Sequence, residues 1–220
     1  MSAMLNQACD VRRLPDDRLP AFVAGHLVVL HQITRASVPL MAAAAARCEA
    51  LPDDPVCPPL AAYLRRHVEE ERAHDEWTLR DLESIGTTRE AVLSRIPPAS
   101  VAALVGAQYY WALHVHPAAI LGYIGMLERN APTPALVDFM KRASGFPDSA
   151  FRTMLLHAEL DPGHHCDLDR LLDLLPLDDR HERLIADSAT HTAECLVKIF
   201  AAERSALEAP GHAGAGLLRG

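Results

Sequence analysis

The chain has 220 residues, half of them hydrophobic, with 29 acidic against 21 basic side chains and a net charge of −8. That length and apolar content fit one folded domain with a real core and exclude disorder throughout. No cluster of Lys and Arg stands out, which argues against a nucleic-acid phosphate partner.

Residues 1–18 are polar, hold Pro15 and adjacent acids, and read as a flexible N-terminal arm. Leu19 to about Ala50 is rich in Ala, Leu and Val at helical spacing, with Pro39 expected to kink it. Leu51-Pro-Asp-Asp-Pro-Val-Cys-Pro-Pro59 is a clear break. Leu60 to Ile85 reads as one strong helix ended by Gly86, a natural C-cap. Thr88 to Arg95 fits a short helix stopped by Pro97-Pro98. Ser100 is placed to cap a long helix running to about Asn130, with Pro117 positioned to divide it. Between Val101 and Leu127 no Asp, Glu, Lys or Arg occurs, which is length enough to span a bilayer. Gln108, Tyr109, Tyr110, Trp111, His114, His116, Pro117 and interspersed glycines interrupt that run. A helix buried on all sides of a soluble core is therefore the better reading, and no membrane partner is expected.

Pro134 to Ala143 predicts another helix, ended by Ser144-Gly145. Pro147 to about Leu160 follows, is interrupted by Asp161-Pro-Gly163, and resumes from His164 to Leu175. Asp178 to about Glu208 is the last helix, and 209–220 reads as a flexible tail. No run of alternating β-branched residues and no repeat occurs. The expected fold class is all-α, a single helical domain over 19–208 with about seven or eight helices. The five cysteines (Cys9, Cys48, Cys57, Cys166, Cys195) are odd in number and form no C-x-x-C. That fits reduced thiols in a cytoplasm rather than a disulfide framework or a zinc knuckle. The N-terminus has no basic region followed by an apolar block, so no signal peptide is expected.

The chemistry concentrates in two clusters. His157-Ala-Glu-Leu-Asp161-Pro-Gly-His164 sets two imidazoles and a carboxylate at i, i+4 and i+7, within roughly 60° of one another on a helix. Pro162 removes a backbone donor there and strains the preceding turn. Upstream, His67-Val-Glu-Glu70-Glu71-Arg-Ala-His74 offers a Glu-x-x-His pair. Glu70 and His67 share the face of His74, and spacing alone leaves Glu70 and Glu71 open. The common di-iron pairing at i, i+3 favours Glu71. Glu128 ends the uncharged helix, where a carboxylate is costly unless paired or metal-bound. Iron that activates O2 takes hard carboxylates mixed with neutral imidazoles and keeps open positions. The plain alternatives are a solvated acidic face at Glu69–Glu71 and an ordinary helix-ending turn at Asp161-Pro-Gly163.

With these residues in view, the chain resembles the heme-oxygenase-like di-iron oxidases and oxygenases, the iron-containing redox enzymes. The resemblance rests on His67-Val-Glu-Glu-Glu-Arg-Ala-His-Asp-Glu-Trp77 and Asp81-Leu-Glu-Ser-Ile-Gly86. It continues through Pro117-Ala-Ala-Ile-Leu-Gly-Tyr-Ile-Gly-Met-Leu-Glu128 and His157-x3-Asp161-x2-His164, in the family's order. It implies a heme-oxygenase-like bundle and a six-ligand metal site of Glu71, His74, Glu128, His157, Asp161 and His164. Some members place the first carboxylate seven residues before the first His; here that position is His67, whose role stays open. The family's last ligand-bearing helix is often partly unwound without metal. Pro162-Gly163 is consistent with that, so iron binding is expected to order residues 157–168.

The resemblance further implies two Fe(II) ions with O2 as co-substrate, and a small-molecule substrate that is amino-acid-derived or a fatty acid. The reaction types are N-oxygenation, desaturation or C–C cleavage in a biosynthetic pathway, with room for an external electron donor and a homodimer. A ferritin-like di-iron protein competes, but the first helix offers only Glu49. A heme protein using His26, or a non-catalytic helical relative with an organic pocket, are further alternatives. Trp77 and Tyr109-Tyr110-Trp111 are read first as core packing, and His114 and His116 as core or helix-end histidines.

Overall fold

In the computed structural model, residues 11–208 are described, except the side chains of Arg13, Leu160, Asp161, Pro162, His164, His165 and Glu208. Among the described residues the chain is all helical, with nine α-helices. They are α1 (Leu19–Glu49), α2 (Cys57–Glu70), α3 (His74–Ser84), α4 (Arg89–Leu93), α5 (Ala99–His114), α6 (Ile120–Glu128), α7 (Pro134–Ser144), α8 (Arg152–Leu174) and α9 (Asp179–Glu208). Short 3-10 turns at Val11–Arg13, Asp16–Arg18, Pro117–Ala119 and Asp148–Phe151 join or precede them.

α1 runs unbroken through Pro39 and forms the spine of the fold. Among the described residues, the one helix long and apolar enough to cross a membrane is this stretch, Asp16–Glu49, and 56% of its apolar window is buried inside the fold. Its C-terminal half packs with α2, α5, α6 and α9 around Leu40, Leu60, Leu64, Leu104 and Tyr123. The N-terminal half packs with α3, α7 and the start of α8 around Phe22, Leu27, Leu82 and Phe151. Val11 and Leu14 are buried in this second cluster, so residues 11–18 are a docked segment rather than part of a loose arm.

Three local departures from the expected elements have physical causes. First, the helix expected from Leu60 to Ile85 is two helices. Glu71, Arg72 and Ala73 break it, and Ala73 takes the left-handed conformation at φ 69°. A non-glycine residue there costs about 1–2 kcal/mol, which the surrounding packing must offset. Second, α8 does not stop at Asp161-Pro-Gly163 but runs unbroken from Arg152 to Leu174. Pro162 costs it one backbone donor, while Met154, Leu168 and Leu171 on either side are buried and hold the helix in place. Third, the uncharged stretch is divided at Pro117, and only its second half is buried all round. Tyr110, Leu113 and Val115 of the first half lie exposed, whereas Ile120 to Ile124 are fully enclosed. Pro98, not Ser100, stands at the start of α5.

The remaining ends follow local chemistry. Thr133 caps α7 by accepting from the Leu136 N–H at 3.3 Å, and Gly145 closes it in the left-handed conformation. α6 lies hard against α9 at Gly122, where an added Cβ would fall 2.2 Å from the Ile185 carbonyl oxygen. Between α5 and α9, Ser188 donates to the Gln108 Oε1 at 2.8 Å and Gln108 Nε2 donates to Thr192 Oγ1 at 3.3 Å. These buried polar groups satisfy one another in an otherwise apolar interface.

Candidate metal centre

The helix break between α2 and α3 positions the first group. Glu71 follows the last residue of α2 and caps it, donating its N–H to the His67 carbonyl at 2.9 Å, and the His74 N–H returns to the Glu71 carbonyl at 3.2 Å. Both side chains turn inward. Of the two adjacent acids, Glu71 has a side chain only 13% exposed, whereas Glu70 is 37% exposed and pairs with Arg66 and His67. Glu71 is therefore the inward carboxylate of the pair that spacing left open.

α8 brings His157 to the same point. The donor atoms of Glu71, His74 and His157 lie within 4.8 Å of one another, and the His74 and His157 rings meet edge to face at 5.0 Å. His157 Nδ1 lies 2.8 Å from the Thr153 carbonyl. A carbonyl only accepts, so Nδ1 carries the proton and Nε2 keeps its lone pair, as a metal-ligating imidazole requires. Thr153 is itself held: its backbone N–H donates to the buried Asp81 carboxylate of α3 at 2.8 Å. Burial pushes the Asp81 pKa up, against the hydrogen bonds from Thr153. Asp81 thus sets the start of α8 and, through it, the orientation of His157.

Glu128, at the end of α6, is also buried. Its Oε1 lies 3.1 Å from His67 Nε2, with both side chains under one-tenth exposed. Burial works to lower the His67 pKa, but the carboxylates of Glu128, Glu71 and Glu70 outweigh it and raise it. For Glu71 the balance runs the other way. Burial pushes its carboxyl up, and His74, His157 and His67 together hold it below the usual value. Asp161 and His164 lie on α8 beyond His157, but their side chains fall outside the described residues. The structure thus brings Glu71, His74 and His157 together and puts Glu128 on His67.

This donor set fits a metal such as iron. His74 Nδ1 and Glu71 Oε2 approach to 2.8 Å, yet buried Nδ1 meets no hydrogen-bond geometry. A carboxylate oxygen and two imidazoles converging on one point is what a shared cation would hold together. Imidazole nitrogen mixed with carboxylate oxygen is the composition that suits iron. Trp77 stacks on His74 with ring centroids 3.9 Å apart, so the residue read as core packing is a wall of the site.

A cavity of about 670 Å3 opens from this centre. It is lined by Glu71, Glu128 and His157 at one end and continues along α1 to His26 and Phe22. That size suits a small molecule.

A second group, Asp54, Cys57 and His116, also gathers potential donor atoms within 4.8 Å. Its hydrogen bonds exclude the imidazole as a ligand at Nε2. The Ala118 N–H donates to His116 Nδ1 at 3.1 Å, so Nδ1 holds the lone pair and the neutral ring carries its proton on Nε2. That proton is directed to Asp54 Oδ2 at 3.1 Å. His116 is a cap that fastens the Pro117 turn to the α1–α2 connection, in keeping with its reading as a helix-end histidine.

A family model described as "Iron-containing redox enzyme" matches residues 26–197. A search of the curated proteins found no match. Among solved structures, the chain is similar to a domain of unknown function with a heme oxygenase-like fold from Shewanella denitrificans OS217. The TM-score is 0.80 at 16% identity, covering 100% of this chain and 94% of that one. It is also similar to a TenA homolog from Pseudomonas syringae pv. tomato DC3000, with TM-score 0.65 at 10% identity, covering 93% and 92%. The fold is heme-oxygenase-like.

Proposed function

The chain belongs to the iron-containing redox enzyme family, and from that premise we propose that it is an O2-dependent, non-heme di-iron oxidase or oxygenase of a small metabolite. The ligands proposed are Glu71, His74, Glu128, His157, Asp161 and His164. The observation that carries this reading is the convergence of Glu71, His74 and His157 beside a cavity that Glu71 and His157 line. Bound there, iron would supply the electrons that reduce O2.

The remaining roles belong to the chain. Glu71 and Glu128 offer charged oxygens in a wall that excludes water, where their attraction for a cation is least screened. The Thr153 carbonyl fixes the His157 tautomer and ring orientation. His67 holds the Glu128 carboxylate from 3.1 Å, with both side chains buried. The apolar lining of the cavity, which includes Leu127, Met154 and Ile199, holds the substrate beside the centre and keeps water from it.

Anaerobic reconstitution with Fe(II), followed by metal analysis and O2 uptake, tests the proposal. Two irons per chain and O2 consumption are expected, with both lost in His157→Ala. Protein that retains no iron, or that binds iron equally well as His157→Ala, refutes it.

A further inference from the structure

The far end of the cavity carries polar groups that the metal centre does not use. His26 of α1 lines it, and both Phe22, at 5.8 Å between centroids, and Phe200 of α9, at 5.3 Å, stack with its ring. The ring is fixed by Glu203: His26 Nδ1 stands 3.3 Å from Glu203 Oε2. The other Glu203 oxygen, Oε1, is buried and has no hydrogen-bond partner among the described residues. A carboxylate so enclosed is costly unless its charge is answered. The arginines that line the cavity do not answer it there: Arg12 lies exposed, and Arg129 pairs with Asp169.

The separation from the metal centre follows from the helix. Ser37, eleven residues further along α1, meets the Tyr123 hydroxyl at 2.8 Å, and Tyr123 feels the Glu71 charge. At 1.5 Å per residue His26 lies about 16 Å from Ser37 along the axis. Between them α1 lines the cavity with Val29, Leu30, Ile33 and Thr34, whose hydroxyl is taken up by the Leu30 carbonyl at 2.9 Å. A ligand that fills this space is an extended apolar body with one polar end.

We propose that the His26–Glu203 pair is the head-group site of the substrate, and that it takes a primary amine whose apolar chain runs back toward the metal centre. With Nδ1 directed at Glu203, the Nε2 edge of His26 faces away from that carboxylate and accepts a hydrogen bond from the ammonium. The Glu203 charge lies behind it to balance the cation, and the stacked Phe22 and Phe200 rings hold the imidazole in place. A carboxylate head group would meet the Glu203 charge instead. This inference rests on the oxygenase reading only for what happens at the chain's other end.

Calorimetric titration of the folded protein, metal-free and anaerobically loaded with Fe(II), with octylamine, octanoate and octanol tests it. Octylamine is expected to bind at least tenfold more tightly than either analogue in both forms. Glu203→Gln, which keeps shape and loses charge, is expected to erase that preference with an unchanged urea unfolding midpoint. His26→Gln is expected to weaken octylamine at least fivefold. Tighter binding of octanoate, or octylamine affinity indifferent to Glu203→Gln, overturns the assignment. So does a hemin complex with a Soret band that disappears in His26→Ala, since the imidazole would then serve a heme. Glu203-dependent amine binding by protein that takes up no iron would sink the oxygenase reading alone. Two irons per chain without amine preference would sink this inference alone.

Discussion

Replacing Gly122 by Ala will disrupt the seam between α6 and α9. A Cβ at this position lies 2.2 Å from the Ile185 carbonyl oxygen, 2.7 Å from the Ala189 nitrogen and 2.9 Å from Ser188 Cβ. Two of the three obstacles are backbone, so no rotamer change relieves them. The helices must part by about 1 Å, and a gap of that size forfeits roughly a quarter to a half of each dispersion contact along the seam. Overpacking typically costs about 1–3 kcal/mol, and this site stands at the upper end, so we expect a loss of about 3 kcal/mol or more. The internal comparison is Gly106→Ala on α5, where a Cβ meets nothing within 4 Å. That change removes a helix-interior glycine and is expected to stabilise by about 0.5–1 kcal/mol. Urea unfolding followed by far-UV circular dichroism reads both, with the midpoint of Gly122→Ala falling by about 1 M or more. A Gly122→Ala protein within 1 kcal/mol of wild type would refute the reasoning, because it would mean the two helices do not touch at this residue.

Two other changes probe separate parts of the structure. At Asp54, burial pushes the carboxyl up, but the Val56 N–H and the His116 imidazole outweigh it and hold the pKa below its ordinary value. A depressed carboxylate adds stability that is present above the unfolded pKa of about 3.9 and is lost as pH falls through the folded value. Asp54→Asn is therefore expected to cost about 1 kcal/mol at pH 7. Its deficit in urea should shrink toward zero below about pH 4, and a deficit independent of pH would count against the charge. At the metal centre, Trp111→Phe leaves Trp77 as the sole tryptophan, 3.9 Å from the His74 ring. Anaerobic Fe(II) should quench its emission, and His74→Ala should abolish the quenching; undiminished emission at full metal occupancy would contradict ligation at His74.

The helices were legible because their apolar period and their caps are local. Thr133, Gly145 and the Pro117 division each behave as their residue types demand. The break at Glu71 to Ala73 was not, because no glycine or proline marks it and an alanine fills the left-handed position. The reverse holds at Pro162-Gly163, where two helix-weakening residues sit in an unbroken helix. Local propensity there is overridden by the buried leucines of the next turns. Metal-competent residue types were readable from spacing, but pairings were not. His67 faces Glu128 across 61 residues of chain, and Asp81 reaches Thr153 across 72. Nothing in the sequence around Glu203 announces that His26 will find it, because α1 and α9 meet only through the tertiary fold.

The left-handed alanine separates the two halves of the Glu-x-x-His pair. Glu71 lies in the three-residue turn between α2 and α3, and His74 opens α3, so the rise of one helix does not dictate their spacing. Glu71 is tied back to α2 through the His67 carbonyl, and His74 carries Trp77 stacked on its ring. The distance between carboxylate and imidazole is therefore set by the turn and not by the pitch of a single helix.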